Sequence, residues 1–442
     1  MNADLSSLLG IALMAVLAGL GALVLLVRRD LAPIALRQGC TASGVWFLGA
    51  ALGLGVIAFS IKLIIILTLA TFPQRTIAPL TASVGSKTPP GGTLPATPPP
   101  APYGWQSLPA TAPAPADNPL TVAKVSLGER LFHDPLLSRD RTISCSSCHD
   151  VINGAGTDGR PTSQGIDGAV GSRNAPTIWN AAFQAVLFWD GRAGSLEQQA
   201  MGPPLNPAEM GMASAAAIEA RIATDPSYGP AFAEAFGPDQ PITFLRIAQA
   251  IASYERTLIS RDSAYDRFVD GDENALDARQ RRGMWLFQSI GCVTCHVGAN
   301  FSGASNIGPH NPFAPLQVQR SQTAMRHHLD TDKGRAGAHA AVGVWRIPSL
   351  RNVALTPPYF HNGSVTDLAE AVRVMASAQL GAVLVDDDAK RPQPRWNARL
   401  HRFEADPRLV LGPADINDLV AFLGALSSDA VTARIASSRR EH

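Results

Sequence analysis

Apolar residues are laid out along this chain in three different ways. From Leu8 to Val27 they run without a charge, close to the ~20 residues that cross a bilayer as a helix. Trp46 to Phe72 is a second run, interrupted only by Lys62. Residues 73–118 lose the pattern. Prolines at 89–90, 98–100 and 102 alternate with Ala, Thr and Gly, a composition that favours extended polyproline conformations over a core. From residue 119 the period becomes helical. Phe244, Ile247, Ile251, Tyr254 and Leu258 share one helical face, and Ile416, Leu419, Val420, Leu423 and Leu426 share another.

This layout predicts a membrane anchor over 1–72 with two transmembrane helices, a proline-rich linker over 73–118, and a globular part over 119–430. Residues 431–442 form a tail with no apolar pattern and are expected to fray. Arg28, Arg29 and Arg37 sit between the two apolar runs, whereas Met1–Ser7 carries no Lys or Arg. That asymmetry makes the connection cytoplasmic and sends everything after residue 72 outward. The same lack of basic residues argues against a cleaved signal peptide. The expected location is therefore the inner (cytoplasmic) membrane, with the globular part on the periplasmic side. Lys62 is read as snorkelling to the outer interface, and Cys40 as a reduced cytoplasmic thiol.

Within the globular part a motif recurs. Gly128-Glu-Arg-Leu-Phe132 precedes Cys145-Ser-Ser-Cys-His149, and Gly283-Met-Trp-Leu-Phe287 precedes Cys292-Val-Thr-Cys-His296. Each half then closes with one of the amphipathic helices above. The expected fold is mostly α, with two tandem domains over 119–275 and 276–430. Net charge adds an exclusion. At +1 over 442 residues there is no basic footprint for nucleic acid.

The chain has five cysteines, and four of them lie in the two C-x-x-C-H clusters. Two thiols one helical turn apart can each form a thioether with one haem, and the histidine that follows is placed as axial ligand to its iron. Zinc ribbons place their cysteine pairs about 15–20 residues apart, whereas these two fall in different halves of the chain. Two covalent c-type haems, at Cys145, Cys148 and His149 and at Cys292, Cys295 and His296, are the expected cofactors. The helix, haem loop and packing helix of each half are the kernel of a cytochrome c-like domain.

Further motifs surround these clusters. They are Arg173-Asn-Ala-Pro-Thr177, Phe188-Trp-Asp-Gly-Arg192, Leu196-Glu-Gln-Gln-Ala200, Asn206-Pro-Ala-Glu-Met210, Pro348-Ser-Leu-Arg-Asn352 and Pro358-Tyr-Phe-His-Asn-Gly363. Their order across roughly 120–428 resembles the bacterial di-haem cytochrome c peroxidases. The resemblance implies that the haem on His149 is the peroxidatic one, with Glu209 as distal acid–base residue, Gln199 as its polar neighbour and Trp189 between the haems. It implies that the haem on His296 transfers electrons, with Met375 as its second axial ligand. It implies a calcium ion on the side chain of Asn174 and the carbonyls of Thr356 and Pro358. Arg351 is expected to pair with a haem propionate, and His361 to lie near the second haem.

The implied reaction is reduction of hydrogen peroxide to water. The implied electron donor is a small soluble cytochrome c or a cupredoxin, and a homodimer is left open. One departure stands out. Many members carry a histidine that plugs the peroxidatic iron, but the loop Ser163–Ser172 has none. Two other readings remain: a di-haem oxidase of a protein or organic substrate, of the cofactor-maturation type, and a pure electron-transfer cytochrome. A tyrosine at position 375 would favour the first of these, and Met375 argues against it. The Glu209 and Gln199 pair argues against the second.

Overall fold

Thr121 begins the first long helix by accepting a hydrogen bond from the Lys124 amide, and helix α1 (Val122–His133) follows. Thr243 does the same for α2 (Phe244–Glu255). In the second half Asp277 and Gln280 form a capping box for α3 (Ala278–Ser289). Asp367 caps α4 (Leu368–Gln379), and Pro413 opens α5 (Pro413–Gly424). A last helix, α6, spans Asp429–Glu441. Each cap satisfies backbone N–H groups that the helix itself cannot. This computed structural model describes residues 104–308, 310–335, 343–390, 396–397, 402–403 and 409–441, all within one compact unit. The described chain is mostly helical, as expected, and its strands are two or three residues long.

The repeated glycines explain how each half is built. A Cβ on Gly128 would lie 1.9 Å from the Ala250 carbonyl oxygen, and one on Gly283 would lie 1.9 Å from that of Asp418. Only glycine lets α1 cross α2, and α3 cross α5, with backbones this close. Around the first crossing a core gathers Leu131, Phe132, Ile218, Ile222, Phe232, Ile247 and Ile251. Around the second, a core gathers Tyr265, Phe287, Phe301, Leu419 and Phe422.

The repeat runs deeper than the sequence reading found. Asn180 and Asn352 both take positive φ, as do Phe188 and Phe360, and Gly191 and Gly363. The same constant register pairs the short helices Ala181–Phe183 and Val353–Leu355. It also pairs the bridges Leu187–Ala193 and Tyr359–Val365. In that register Trp189 corresponds to His361, and Asn174 to Arg346. The halves are joined reciprocally through these four positions. The Asn174 amide donates to the His361 carbonyl at 2.7 Å, and the Arg346 amide donates to the Trp189 carbonyl at 2.9 Å. Arg346 ends strand β2 (Val344–Arg346), which pairs antiparallel with β1 (Phe313–Pro315).

Three expectations change. The linker does not extend to 118 as a free tether. Trp105 lies about 6 Å, ring to ring, from each of Tyr265, Phe301 and Phe422, and Leu108 is 1% exposed. Asn118 is buried and donates to Glu197 at 2.8 Å. The segment expected to fray is instead α6, because Val431 and Ile435 pack on the first core. The third is location. Among the described residues no helix is long and apolar enough to cross a membrane. The two expected transmembrane helices lie outside the described residues, so the inner-membrane assignment is withdrawn. Lys62 and Cys40 also lie outside them.

Candidate active site: a buried cavity between two cysteine–histidine clusters

A single cavity of about 900 Å³ is lined by both C-x-x-C-H clusters. In the first half, Cys145–Cys148 form one short helical turn and His149 follows as its C-cap. In the second half, Cys292–Thr294 form a 3-10 turn ahead of Cys295 and His296. All four thiols are free. Burial pushes the Cys145 and Cys292 thiols up to about 12, so both are neutral sulfur at working pH.

The two histidines are prepared alike. His149 Nδ1 lies 3.3 Å from the Gly156 carbonyl, and His296 Nδ1 lies 3.1 Å from the Phe301 carbonyl. A carbonyl only accepts, so Nδ1 carries the proton and the Nε2 lone pair is left to bind a metal. Burial lowers both imidazole pKa values, which keeps them neutral and fit for ligation. Paired thiols, an adjacent neutral histidine and a shared cavity fit a covalent haem in each half.

The remaining expected residues converge on the same space. Glu209, Gln199, Trp189, Asn174, Thr356, Pro358, His361 and Met375 all line the cavity. Gln199 is presented by the helix Leu196–Ala200, which Ser195 caps. Glu209 accepts from Asn206 Nδ2 at 2.7 Å. Its pKa is raised by burial, against the pull of Arg192 and Asn206. Trp189 Nε1 donates to the Asn174 carbonyl at 2.8 Å, which fixes the indole at the junction of the halves. Its ring meets that of His361 edge-on at 6.4 Å. Burial pushes His361 down to about 4, so it is a neutral imidazole stacked on Trp345 at 3.9 Å.

The loop Ser163–Ser172 is fastened beside Glu209. Ile166 donates its amide to the Glu209 carbonyl at 2.9 Å, and a Cβ on Gly165 would lie 2.1 Å from the Ala208 carbonyl oxygen. The loop residues that face the cavity are Ser163, Gly165, Val170, Gly171 and Ser172. None carries an imidazole, thioether or amine. The repeat register adds a matching observation: it pairs Leu196 with Leu368 and Pro203 with Met375. The position that holds a thioether in the second half holds a proline ring in the first, and both line the cavity.

Arg351 is corrected. It is fully buried, but its Nη1 donates to Asp266 at 2.6 Å and its Nε to the Ala299 carbonyl at 2.9 Å. It is an internal ion pair and does not line the cavity. The residues that sequence reasoning missed are Arg346, Gln184, Trp345 and Glu255, which all line it. Glu255 is pushed up to about 8, chiefly by burial, and its Oε2 has no hydrogen-bond partner. The displaced repeat, Pro176-Thr-Ile-Trp-Asn180 against Pro348-Ser-Leu-Arg-Asn352, was the signal that could have located Arg346. Among the described residues no group of three or more His, Cys, Asp or Glu side chains could hold a metal ion. Asn174, Thr356 and Pro358 offer three neutral oxygens, fewer than the six to eight that calcium takes.

Fold and site together define a c-type cytochrome with two haem-attachment centres facing one buried cavity. The comparisons narrow this class. The family model for di-haem cytochrome c peroxidase matches residues 122–274. The chain is 40% identical over 277 residues to the cytochrome c551 peroxidase of Pseudomonas aeruginosa, covering 62% of this chain and 77% of that one. It is 42% identical over 278 residues to the cytochrome c peroxidase Ccp of Escherichia coli, covering 62% of this chain and 58% of that protein's length. A solved MauG-like protein associated with microbial copper homeostasis matches with a TM-score of 0.59 and 30% identity, covering 75% of this chain and 98% of that one. The chain belongs to the di-haem cytochrome c peroxidase family, a family of haem-dependent oxidoreductases, and that family implies two c-type haems.

Proposed function

We propose that this protein reduces hydrogen peroxide to water with two electrons from a small redox protein. The observation that carries the reading is the placing of Glu209 and Gln199 in the same buried cavity as His149, with no iron-ligating side chain on the loop beside them. Cys145, Cys148 and His149 would hold one haem and Cys292, Cys295, His296 and Met375 the other; when bound, the first would supply a peroxide-binding iron and the second an electron store. The two haem-bearing halves, 119–275 and 276–430, act as tandem cytochrome c-like domains, and the two glycine-crossed helix pairs support that division.

Glu209 takes the proton from the inner peroxide oxygen and gives it to the outer one, which leaves as water. Its raised pKa suits it to both halves of that transfer, because a group poised nearer working pH can both accept and donate. Gln199 orients the peroxide through its amide. Trp189, tied to Asn174 and edge-on to His361, offers the aromatic path between the halves. Met375 rather than tyrosine supports electron transfer at the second centre over oxidation of a protein or organic substrate. The donor is a small soluble cytochrome c or a cupredoxin. A calcium ion on Asn174, Thr356 and Pro358 would need water to complete its shell, and chelation followed by thermal unfolding tests it. The function is tested by peroxide consumption with reduced cytochrome c or cupredoxin. Turnover that depends on Glu209 is expected. Turnover unchanged in Glu209→Gln refutes the assignment.

A further inference from the structure

Three arginines are buried in the described structure: Arg256, Arg346 and Arg351. Two have a carboxylate. Arg256 lies 2.8 Å from Glu197, and Arg351 lies 2.6 Å from Asp266. Arg346 has none. Its Nε donates to the Phe188 carbonyl at 2.8 Å and its Nη1 to Gln184 Oε1 at 3.1 Å, both neutral acceptors. Asp190 is the acid whose field reaches it. That carboxylate is already held by Arg173 at 2.7 Å and Arg192 at 2.9 Å.

A guanidinium does not shed its proton at neutral pH. Burial lowers Arg346 only to about 10, so the charge stays. A buried charge with no opposite partner is strongly unfavourable, and this one faces the cavity. An anion in that cavity would complete its partners. The group implied there carries carboxylates of its own. In the repeat register the equivalent of Arg346 is Asn174, a neutral amide, and the first half's cavity-lining arginines, Arg173 and Arg192, both hold Asp190.

We propose that Arg346 is the counter-ion of a haem propionate. It closes its guanidinium fork on that carboxylate at the seam between the halves. The charge-assisted bond keeps the propionate ionised and stabilises the reduced state of the haem that bears it. This rests on the two-haem reading but not on the peroxidase reading.

The test uses the full-length holoprotein, with haem content measured by pyridine haemochrome and each haem titrated spectroelectrochemically between about pH 6 and 8. In Arg346→Gln one reduction wave should move to lower potential, by on the order of tenfold in the ferric–ferrous equilibrium, or about 59 mV. The same wave should become pH-dependent, since a buried carboxyl without its cation is pushed toward the neutral form. Arg346→Lys keeps a point charge and loses the fork, so the wave should move the same way by less. It also decides the matter if the glutamine variant fails to take up haem. A wave that also moves in Met375→His assigns the propionate to the second haem, and one that does not assigns it to the first. A purely structural role, stapling β2 to residues 184–189, leaves both potentials and their pH dependence unchanged in haem-replete variants, and that result overturns the proposal. Fewer than two haems in the wild type overturns it together with the two-haem reading.

Discussion

Removing residues 104–116 should destabilise the globular part, although their composition looks like linker. The segment contributes two anchors. Leu108 is 1% exposed and packs with Phe183 and Ala299. Replacing such a buried leucine by a small residue costs roughly 2–5 kcal/mol. Trp105 is half-buried and makes three aromatic contacts, with Tyr265, Phe301 and Phe422. At about 0.5–1.5 kcal/mol per aromatic pair, these contribute on the order of 2–4 kcal/mol. Two hydrogen bonds go with them. Tyr265 Oη donates to the Gln106 carbonyl at 3.1 Å, and Arg261 Nε donates to the Leu108 carbonyl at 2.9 Å.

The sum, roughly 4–9 kcal/mol, is a large part of the 5–15 kcal/mol that separates native from unfolded domains. Each kcal/mol shifts the midpoint of a large domain by about 2–4 °C. A chain beginning at Asp117 should therefore melt at least about 8 °C below one beginning at Gly104. The assay is thermal unfolding of both haem-loaded chains, followed by far-ultraviolet circular dichroism and by the Soret band. Trp105→Ala in the longer chain should account for about half of the drop. Equal midpoints for the two chains would refute the reasoning and return the segment to the status of a tether.

Three further outcomes are expected. Glu209→Gln should lower peroxide turnover by about 10²–10⁴-fold while both haems stay attached. Because burial raises the Glu209 pKa, the wild-type activity should fall on the acid side at a pH above the ordinary glutamate value of about 4.3; an acid limb below that value contradicts the role. With only Ser, Gly and Val of the 163–172 loop facing the cavity, the fully oxidised protein should show one high-spin haem and react with peroxide without prior reduction; two low-spin haems and a lag removed by one electron would sink this. Met375→His should keep the second haem low-spin and lower its potential, since thioether ligation raises it; an unchanged potential in spectroelectrochemical titration excludes Met375 as ligand.

Legibility followed chemistry more than packing. The two C-x-x-C-H clusters could be read because covalent attachment fixes residue type and spacing together. Glu209, Gln199, Trp189 and Met375 were legible only as parts of an ordered set of motifs, since each alone fits an ordinary core or surface position. The strap over 104–118 was misread because Pro and Ala dominate its composition, while two side chains, Trp105 and Leu108, decide its behaviour. The last helix was misread because Val431 and Ile435 are too few to make a periodic signal. Arg351 was assigned to a propionate through the family resemblance of its motif, since a guanidinium can pair with a carboxylate in bidentate fashion. Its real partner, Asp266, lies far away in sequence and becomes a neighbour only when α3 and α5 close around Tyr265.

The duplicated backbone explains how one scaffold can carry two unlike centres. Positive φ is retained at Asn180 and Asn352, at Phe188 and Phe360, and at Gly191 and Gly363, although a phenylalanine there is strained. Retaining strain in both halves means that the turn geometry is needed in both. The side chains carried on that geometry differ where the chemistry must differ. Trp189 in one half corresponds to His361 in the other, Pro203 to Met375, and Asn174 to Arg346. A proline ring cannot bind iron and a thioether can, so the exchange at 203 and 375 is the one that the proposed open and closed centres need. The exchange at 174 and 346 puts a buried guanidinium on one side of the seam, and the potentials of the Arg346 variants test whether it stabilises an added electron. The same fold therefore carries unlike side chains on equivalent backbone positions of its two halves, which is what the proposed division between a site for chemistry and a site for electron storage needs.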